Sequence, residues 1–218
     1  MMALLSCFNG LFSFNVTFFI ISIIILLSLC FGVFFTSSEK FALPTLLKTL
    51  LFYSFFLVSL LILFFGNDFV SSDYGMYCFN QYFQTIFLVL SALIILTSRD
   101  FISARKISKF EYDILLLFVF LSALCLCFAD DFLLFYLSIE LLSLCFYVFA
   151  TFNRNSEFST ESGLKYFVLG GIISCVLLLG FSLVYLTFGT TSFEYLTCLS
   201  LVSTDMFFLG IFFILIAL

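Results

Sequence analysis

Two ionisable residues of opposite charge lie within long apolar runs of the sequence. Glu140 is in the middle of the run Phe132 to Phe152, and Lys165 is in the run that follows. An ionised side chain near the centre of a bilayer costs about 2.5 to 3.5 kcal/mol on insertion scales, so such residues are usually functional.

Other polar side chains accompany Glu140 on one side of its helix. At 100° per residue, five of them fall within about 80° of one another; they are Tyr136, Glu140, Ser143, Tyr147 and Thr151. In hydrocarbon such a stripe should face the bundle interior or a hydrated cavity, where hydroxyls and water can satisfy the carboxylate. The alternative is a glutamate that only joins helices by hydrogen bonds, although one serine would do that at lower insertion cost.

Lys165 has two possible environments. If its helix starts near Ser156, Lys165 is nine residues in, about 14 Å along the axis. It would then lie inside the membrane, or extend its ammonium back to the surface and pair with Glu161 four residues earlier. The other side of the same helix carries small residues spaced for close packing: Gly163, Gly170, Gly171, Ser174 and Cys175.

The elements that position these residues are transmembrane helices. Of the 218 residues, 64% are hydrophobic and 10% are charged, whereas soluble domains have about 25% charged residues. Apolar runs near the 20 residues needed to cross a bilayer predict seven spans, at 11–35, 46–65, 81–98, 112–128, 130–152, 160–187 and 204–218. The fold class is therefore predicted to be all-α, a polytopic transmembrane bundle of about seven helices.

The loops between the predicted spans segregate by charge. Basic residues lie in or beside the first, third and fifth connections, where Lys40, Arg105 and Arg154 are examples. The second, fourth and sixth connections hold acidic residues and no basic residue. By the positive-inside rule the basic loops face the cytoplasm or mitochondrial matrix, and the amino terminus is outside.

Several function classes lack support in the residues. The eight cysteines are scattered with no C-x-x-C pair, and the chain has no histidine, so we predict no metal site. No phosphate loop, dinucleotide fingerprint or serine nucleophile motif is present. The net charge of -5 reflects the acidic loops on one side of the membrane and does not indicate a preference for nucleic acid. The 37 Phe, no Trp and no His would follow from A+T-rich codons, and the basic-poor start lacks a transit peptide. We expect an organelle-encoded protein.

Residues 110 to 191 carry a resemblance to a known family. The stretches FEYDILLLF, ADDFLLFYLSIELLSLCFYVFATFNRNSEFSTESGLKYFVLGG and LVYLTFGTTSFEYL resemble chain 2 of NADH:ubiquinone oxidoreductase, respiratory complex I. This is an antiporter-like membrane subunit. Residues 1 to 109 are similar to it only in hydropathy and span count. The resemblance implies three leading helices in 1–109, and in 110–218 helices four to seven of a fourteen-helix fold built on two inverted five-helix repeats.

The resemblance also implies site roles and partners. Glu140 and Lys165 fall on positions that take part in proton translocation, and Tyr136, Ser143 and Tyr147 would line the path. No cofactor is expected on this chain, whereas NADH, FMN, iron–sulfur clusters and ubiquinone would act elsewhere in the complex. Partners would be membrane lipids, other membrane-arm subunits of complex I in the mitochondrial inner membrane, and a separately encoded carboxyl-terminal half that docks against the seventh helix.

Three functions remain open on the sequence. The first is part of a proton-pumping subunit of complex I, the second a subunit of a sodium/proton antiporter, and the third a non-pumping scaffold. It is also open whether Glu140 pairs with Lys165 or with a lysine on the other half of the subunit.

Overall fold

The computed structural model describes residues 20–30, 53, 75–104, 110–153, 156–193 and 205–218. Within these ranges the chain forms six helices: α1 (Ile20–Cys30), α2 (Gly75–Ala104), α3 (Phe110–Cys127), α4 (Phe132–Ala150), α5 (Glu157–Phe188) and α6 (Asp205–Ala217). The described part of the chain has no β-strand beyond one isolated bridge. The prediction of an all-helical fold is confirmed.

The predicted spans agree with the helices where the structure describes them. The spans at 112–128, 130–152, 160–187 and 204–218 correspond to α3, α4, α5 and α6, with ends that differ by at most three residues. The span at 81–98 is the centre of a longer helix, α2. The span at 46–65 lies outside the described residues apart from Tyr53, and the first is described only as α1.

Among the helices in the described part of the chain, α4 and α5 are long and apolar enough to cross a membrane. With 19 residues, α4 is about 28 Å long, close to the thickness of a hydrocarbon core. With 32 residues, α5 is about 48 Å long and must extend beyond such a core. It begins after Ser156 and ends at Gly189, whose φ of 70° is the left-handed conformation that glycine adopts at helix ends.

Many large apolar side chains of α4 and α5 are exposed, and small or polar residues are among the buried ones. The buried residues of α4 include Ser138 and those of α5 include Gly163 and Gly180. Large apolar side chains such as Leu133 and Leu186 are exposed. Glycines against a neighbouring helix and leucines toward the surroundings are what a lipid environment favours.

The chain divides into two compact units, residues 1–121 and 122–218. In the first unit, Leu88 of α2 and Leu117 of α3 are fully buried, and the rings of Phe87 and Phe120 meet edge to face at 6.4 Å. The second unit holds α4, α5 and α6. The predicted division after residue 109 concerns family topology and stays a prediction.

In the second unit, α5 packs antiparallel to α4 on one part of its surface and to α6 on another. Phe132 at the start of α4 meets Phe181 near the end of α5, at 4.7 Å between ring centroids. Phe207 at the start of α6 meets Phe188 at the end of α5, at 5.0 Å. Glu140 and Lys165 both lie on this three-helix unit.

Candidate functional site

Glu140 occupies the centre of α4. It is eight residues from the start and ten from the end of a 19-residue helix, so in a spanning helix it lies near the midplane of the bilayer. Its side chain is half-buried. The helix therefore places Glu140 where the sequence predicted it, at a depth where an ionised side chain is energetically costly.

Contacts between α4 and α5 fix which residues lie opposite each other. At one end of the pair, Phe135 meets Phe181 at 6.1 Å. At the other end, Tyr147 meets Phe167 at 5.5 Å, and its ring is also perpendicular to that of Tyr166. Since both helices rise 1.5 Å per residue, Glu140 lies between these contacts, opposite Ser174.

The ends of the α4–α5 pair are tied by hydrogen bonds. The backbone N–H of Phe132 donates to the carbonyl of Thr191, and that of Phe193 donates to Asp130, both at 3.0 Å. At the other end the hydroxyl of Ser159 donates to the carbonyl of Ala150 at 2.7 Å. The register between the two helices is thus held at both ends, by hydrogen bonds and by ring contacts.

The polar stripe of α4 faces α5. Tyr147 is 8% exposed, and Tyr136 and Ser143 are half-buried. Thr151 lies against Gly163 of α5, where an added Cβ would overlap the threonine methyl group. Since Glu140 is seven residues, about 20° in angle, from Tyr147, it faces the same side. We call the contact between these two helix faces the α4–α5 seam.

Within the described residues, no side chain donates a hydrogen bond to the carboxylate of Glu140. The hydroxyl of Ser143 donates to the backbone carbonyl of Glu140 at 2.9 Å and leaves its carboxylate oxygens untouched. A half-buried carboxylate inside a membrane requires a hydrogen-bond donor or a cation. That partner must come from water or from groups outside the described part of this chain.

Lys165 lies on a different face of the bundle. Its ammonium group forms an ion pair with Glu161 at 2.6 Å, and the two side chains are 71% and 61% exposed. Lys165 is two residues, about 200° in angle, from Gly163, which faces α4. Its side chain therefore points away from the α4–α5 seam, and the i−4 pairing anticipated from the sequence is the one that forms.

The structure does not bring Glu140 and Lys165 together. By the register of the seam, Lys165 is level with the last turn of α4, about nine residues or 14 Å along the axis from Glu140. If Glu140 is at the midplane of a core roughly 30 Å thick, Lys165 lies near its edge. Of the two pairings left open by the sequence, this geometry excludes a direct contact between Glu140 and Lys165.

A further carboxyl was not singled out from the sequence. Asp113, one turn into α3, is 5% exposed and belongs to the other compact unit. Its signal in the sequence was an acid next to an uninterrupted apolar run, which resembles an ordinary helix start. Across the described ranges no group of three or more Cys, Asp or Glu residues could hold a metal ion.

Comparison with known proteins shows which proteins this arrangement is similar to. Residues 129–218 match the family described as NADH:quinone oxidoreductase/Mrp antiporter, transmembrane. Chain 2 of NADH-ubiquinone oxidoreductase from Marchantia polymorpha is 38% identical over 183 residues, which are 81% of this chain and 37% of that protein. Subunit N of NADH-quinone oxidoreductase from Paramagnetospirillum magneticum is 45% identical over 116 residues, 53% of this chain and 24% of that protein.

A solved structure shares the fold. A chain of respiratory complex I from Thermus thermophilus superposes with a TM-score of 0.69 at 21% identity, over 92% of this chain and 42% of that chain. This chain thus spans less than half the length of each of these relatives. The resemblance read from the sequence is confirmed as a likeness: residues 129–218, which hold Glu140, Lys165 and the three packed helices, match the NADH:quinone oxidoreductase/Mrp antiporter transmembrane family.

Proposed function

We propose that this chain is part of a membrane-arm subunit of respiratory complex I and that Glu140 carries a proton within it. The observation that supports this most is a half-buried carboxylate at the centre of a spanning helix, on the face toward α5, with no cation or donor among the described side chains. A group in that position can exchange a proton with water or with a mobile partner. A purely structural polar residue would instead have a fixed hydrogen bond.

The other candidate residues have different roles in this proposal, according to where they lie relative to Glu140. Tyr136 and Ser143 are half-buried on the face of Glu140 and would line its surroundings. Lys165, near the basic-loop end of α5, would act at the start of the path and not as the direct partner of Glu140. Tyr147 was expected from the sequence to line the path, but its ring is enclosed by α5.

The chemistry that drives proton movement belongs to other subunits in this proposal. NADH, FMN, iron–sulfur clusters and ubiquinone would act elsewhere in the complex, and no redox step is assigned to this chain. The mitochondrial inner membrane and an organelle gene are proposed from the likeness to a plant chain 2 and from the Phe-rich composition. Finding the gene on a nuclear chromosome would remove the second part of this proposal.

Partners are proposed from the exposed faces of the second unit. On α6, Phe208, Phe212 and Leu215 are 60 to 69% exposed, and Lys165 with Glu161 is exposed on α5. The remainder of the subunit fold seen in longer relatives would cover α6, and other membrane-arm subunits and lipid would cover the rest. That this remainder is separately encoded stays a prediction, which mass spectrometry of the purified complex tests.

The central test replaces Glu140 by Gln in the assembled complex. Glutamine keeps the size and hydrogen-bonding capacity of the side chain and removes its titratable charge. We expect proton translocation per NADH oxidised, or turnover if the two are strictly coupled, to fall at least fivefold. The control is Glu157→Gln, at the exposed start of α5, which should leave both within twofold of the unchanged protein.

Other outcomes would identify the competing functions. Unchanged stoichiometry and turnover in a fully assembled Glu140→Gln complex would favour the scaffold. Sodium-dependent proton exchange by this protein in vesicles without NADH would favour the antiporter, the second activity named in the family description.

A further inference from the structure

Tyr147 is inserted into a notch that Gly170 creates on the surface of α5. The tyrosine is 8% exposed. A Cβ built on Gly170 would overlap the Tyr147 hydroxyl and lie 2.7 Å from its Cζ atom. No residue larger than glycine fits there unless the ring moves, because real Cβ contacts are never that short.

The ring of Tyr147 is also held from its sides. Tyr166 meets it at 4.9 Å and Phe167 at 5.5 Å between ring centroids, both at 89° between the ring planes. Edge-to-face arrangements at these distances are the favoured geometry for aromatic pairs. Its hydroxyl, by contrast, has no hydrogen-bond partner in the part of the chain that the structure describes.

The neighbouring glycine provides a contrast within the same helix. A Cβ built on Gly171 meets no atom within 4 Å. The two glycines are adjacent in sequence and 100° apart around the helix, so only Gly170 points at Tyr147. The notch is therefore a specific contact and not a general property of a glycine-rich stretch.

The contact determines the position of Glu140 because both residues share one face of α4. Tyr147 and Glu140 are seven residues apart, about 10 Å along the axis. A shift of α4 by one residue against α5 would move the carboxylate by about 1.5 Å and rotate it by about 100°. The ring in the notch opposes that shift close to the site.

We propose that Tyr147 is a positioning residue that sets the location of the Glu140 carboxylate through the fit of its ring at Gly170. This inference rests on the proposed role of Glu140. It assigns Tyr147's contribution to ring volume and not to its hydroxyl, which separates it from a residue that passes protons.

The experiment compares four variants in the assembled complex: Gly170→Ala, Gly171→Ala, Tyr147→Phe and Tyr147→Ala. Assembly is measured first, and then NADH-driven quinone reduction and proton translocation across a range of pH. We expect Gly170→Ala and Tyr147→Ala to lower proton translocation at least threefold and to shift the pH dependence of turnover. Gly171→Ala and Tyr147→Phe should stay within twofold, since one adds a methyl to open space and the other keeps the ring.

A double variant tests whether the two residues act through one contact. Tyr147→Ala in the Gly170→Ala background should lose less than twofold beyond either single change, because each already removes the same fit. A change of pH dependence at normal assembly separates positioning from a general packing defect, which would lower the amount of complex at every pH. If the alanine variants fail to assemble, a loss of proton translocation in an assembled Tyr147→Phe complex would still overturn the inference, because that variant keeps the ring.

Three results would overturn the proposal. Tyr147→Phe as damaging as Tyr147→Ala would assign the role to the hydroxyl. Equal proton translocation in the Gly170→Ala and Gly171→Ala complexes would show that the fit of Tyr147 at Gly170 has no special role. Normal pumping in Gly170→Ala beside a pumping defect in Glu140→Gln would sink this inference alone, whereas a normal Glu140→Gln would sink the proposed function itself.

Discussion

The contact between α5 and α6 differs from the α4–α5 seam, although both depend on glycine. Where α5 meets α6, Gly180 and Gly210 face each other, and a Cβ on Gly180 would lie 3.0 Å from the Gly210 carbonyl oxygen. In the seam, glycines of α5 instead receive the side chains of Tyr147 and Thr151. The first contact brings backbone atoms of both helices together beside the side chains of Val184 and Ile214, whereas the second places mainly side-chain atoms against the glycines.

The α5–α6 contact and the α4–α5 seam also differ in their content of polar side chains. Beyond its first residue, α6 contains no ionisable side chain, and a backbone contact there leaves no room for one. In the seam, Tyr147 and Thr151 are inserted against glycines of α5, and Glu140 lies about two turns from Tyr147 on the same face of α4. We infer that close backbone contact provides attachment in this unit, whereas the seam, where side chains meet the glycines, accommodates a titratable group.

The largest effect is expected at the α5–α6 contact. Gly180→Val should reduce the amount of assembled complex at least fivefold, because a Cβ there would lie 2.7 Å from Ile214 Cγ1 and 3.0 Å from two backbone atoms of α6. Backbone atoms cannot move aside as a flexible side chain can. Native gel electrophoresis of solubilised membranes measures assembly.

The control for that variant is Gly171→Val, which places the same side chain in open space on the same helix. Normal assembly of Gly180→Val would mean that α5 and α6 are not held by this contact, and the contrast between the two regions would be lost.

An intermediate effect, with relief by a second change, is expected in the seam. Gly163→Ala should destabilise the complex by about 1 to 3 kcal/mol through overpacking, because its Cβ would overlap Cγ2 of Thr151. Adding Thr151→Ser removes that methyl group and leaves the hydroxyl, so the double variant should recover at least half of the lost thermal stability. A thermal-shift assay on the purified complex reads the difference.

The relief is what distinguishes side-chain insertion from backbone contact. A double variant no more stable than Gly163→Ala alone would show that something other than the Thr151 methyl group resists the added Cβ.

The smallest effect on stability is expected at the exposed ion pair, outside both contacts. Glu161→Gln breaks the pair with Lys165, and exposed pairs contribute about 0 to 1 kcal/mol. The unfolding temperature should therefore change by less than about 2 °C. Lys165→Gln breaks the same pair, so any additional loss of proton translocation measures the role of the lysine itself.

Equal translocation in the Glu161→Gln and Lys165→Gln complexes, both near normal, would remove Lys165 from the proposed path. A large fall in stability for either variant would instead place the pair in a buried interface with another subunit.

The sequence was sufficient to predict where the helices lie, but not which of their faces contact one another. Apolar run length located α4 and α5 within three residues, and the start of α5 after Ser156 was anticipated. The polar stripe around Glu140 could be drawn because helical geometry fixes angles within one helix. The i−4 pair of Lys165 and Glu161 is local in the same sense.

Contacts between helices could not be predicted in this way. In lipid a helix can be apolar on all sides, so hydropathy does not mark the face that packs against a neighbour. Gly170 and Gly171 look equivalent in the sequence, yet one receives Tyr147 and the other faces open space. The separation of Glu140 from Lys165 likewise depends on a register that only long-range contacts define.

The hydrogen bonds at the two ends of the α4–α5 pair have a consequence for motion. The Asp131–Ser192 bridge joins the two helices at one end. The hydrogen bond from the Ser159 hydroxyl to the Ala150 carbonyl joins them at the other. Sliding of α4 along α5 would require breaking one of them. We therefore expect a change of charge at Glu140 to be accommodated by rotation of its own side chain and by water rather than by sliding of α4 along α5.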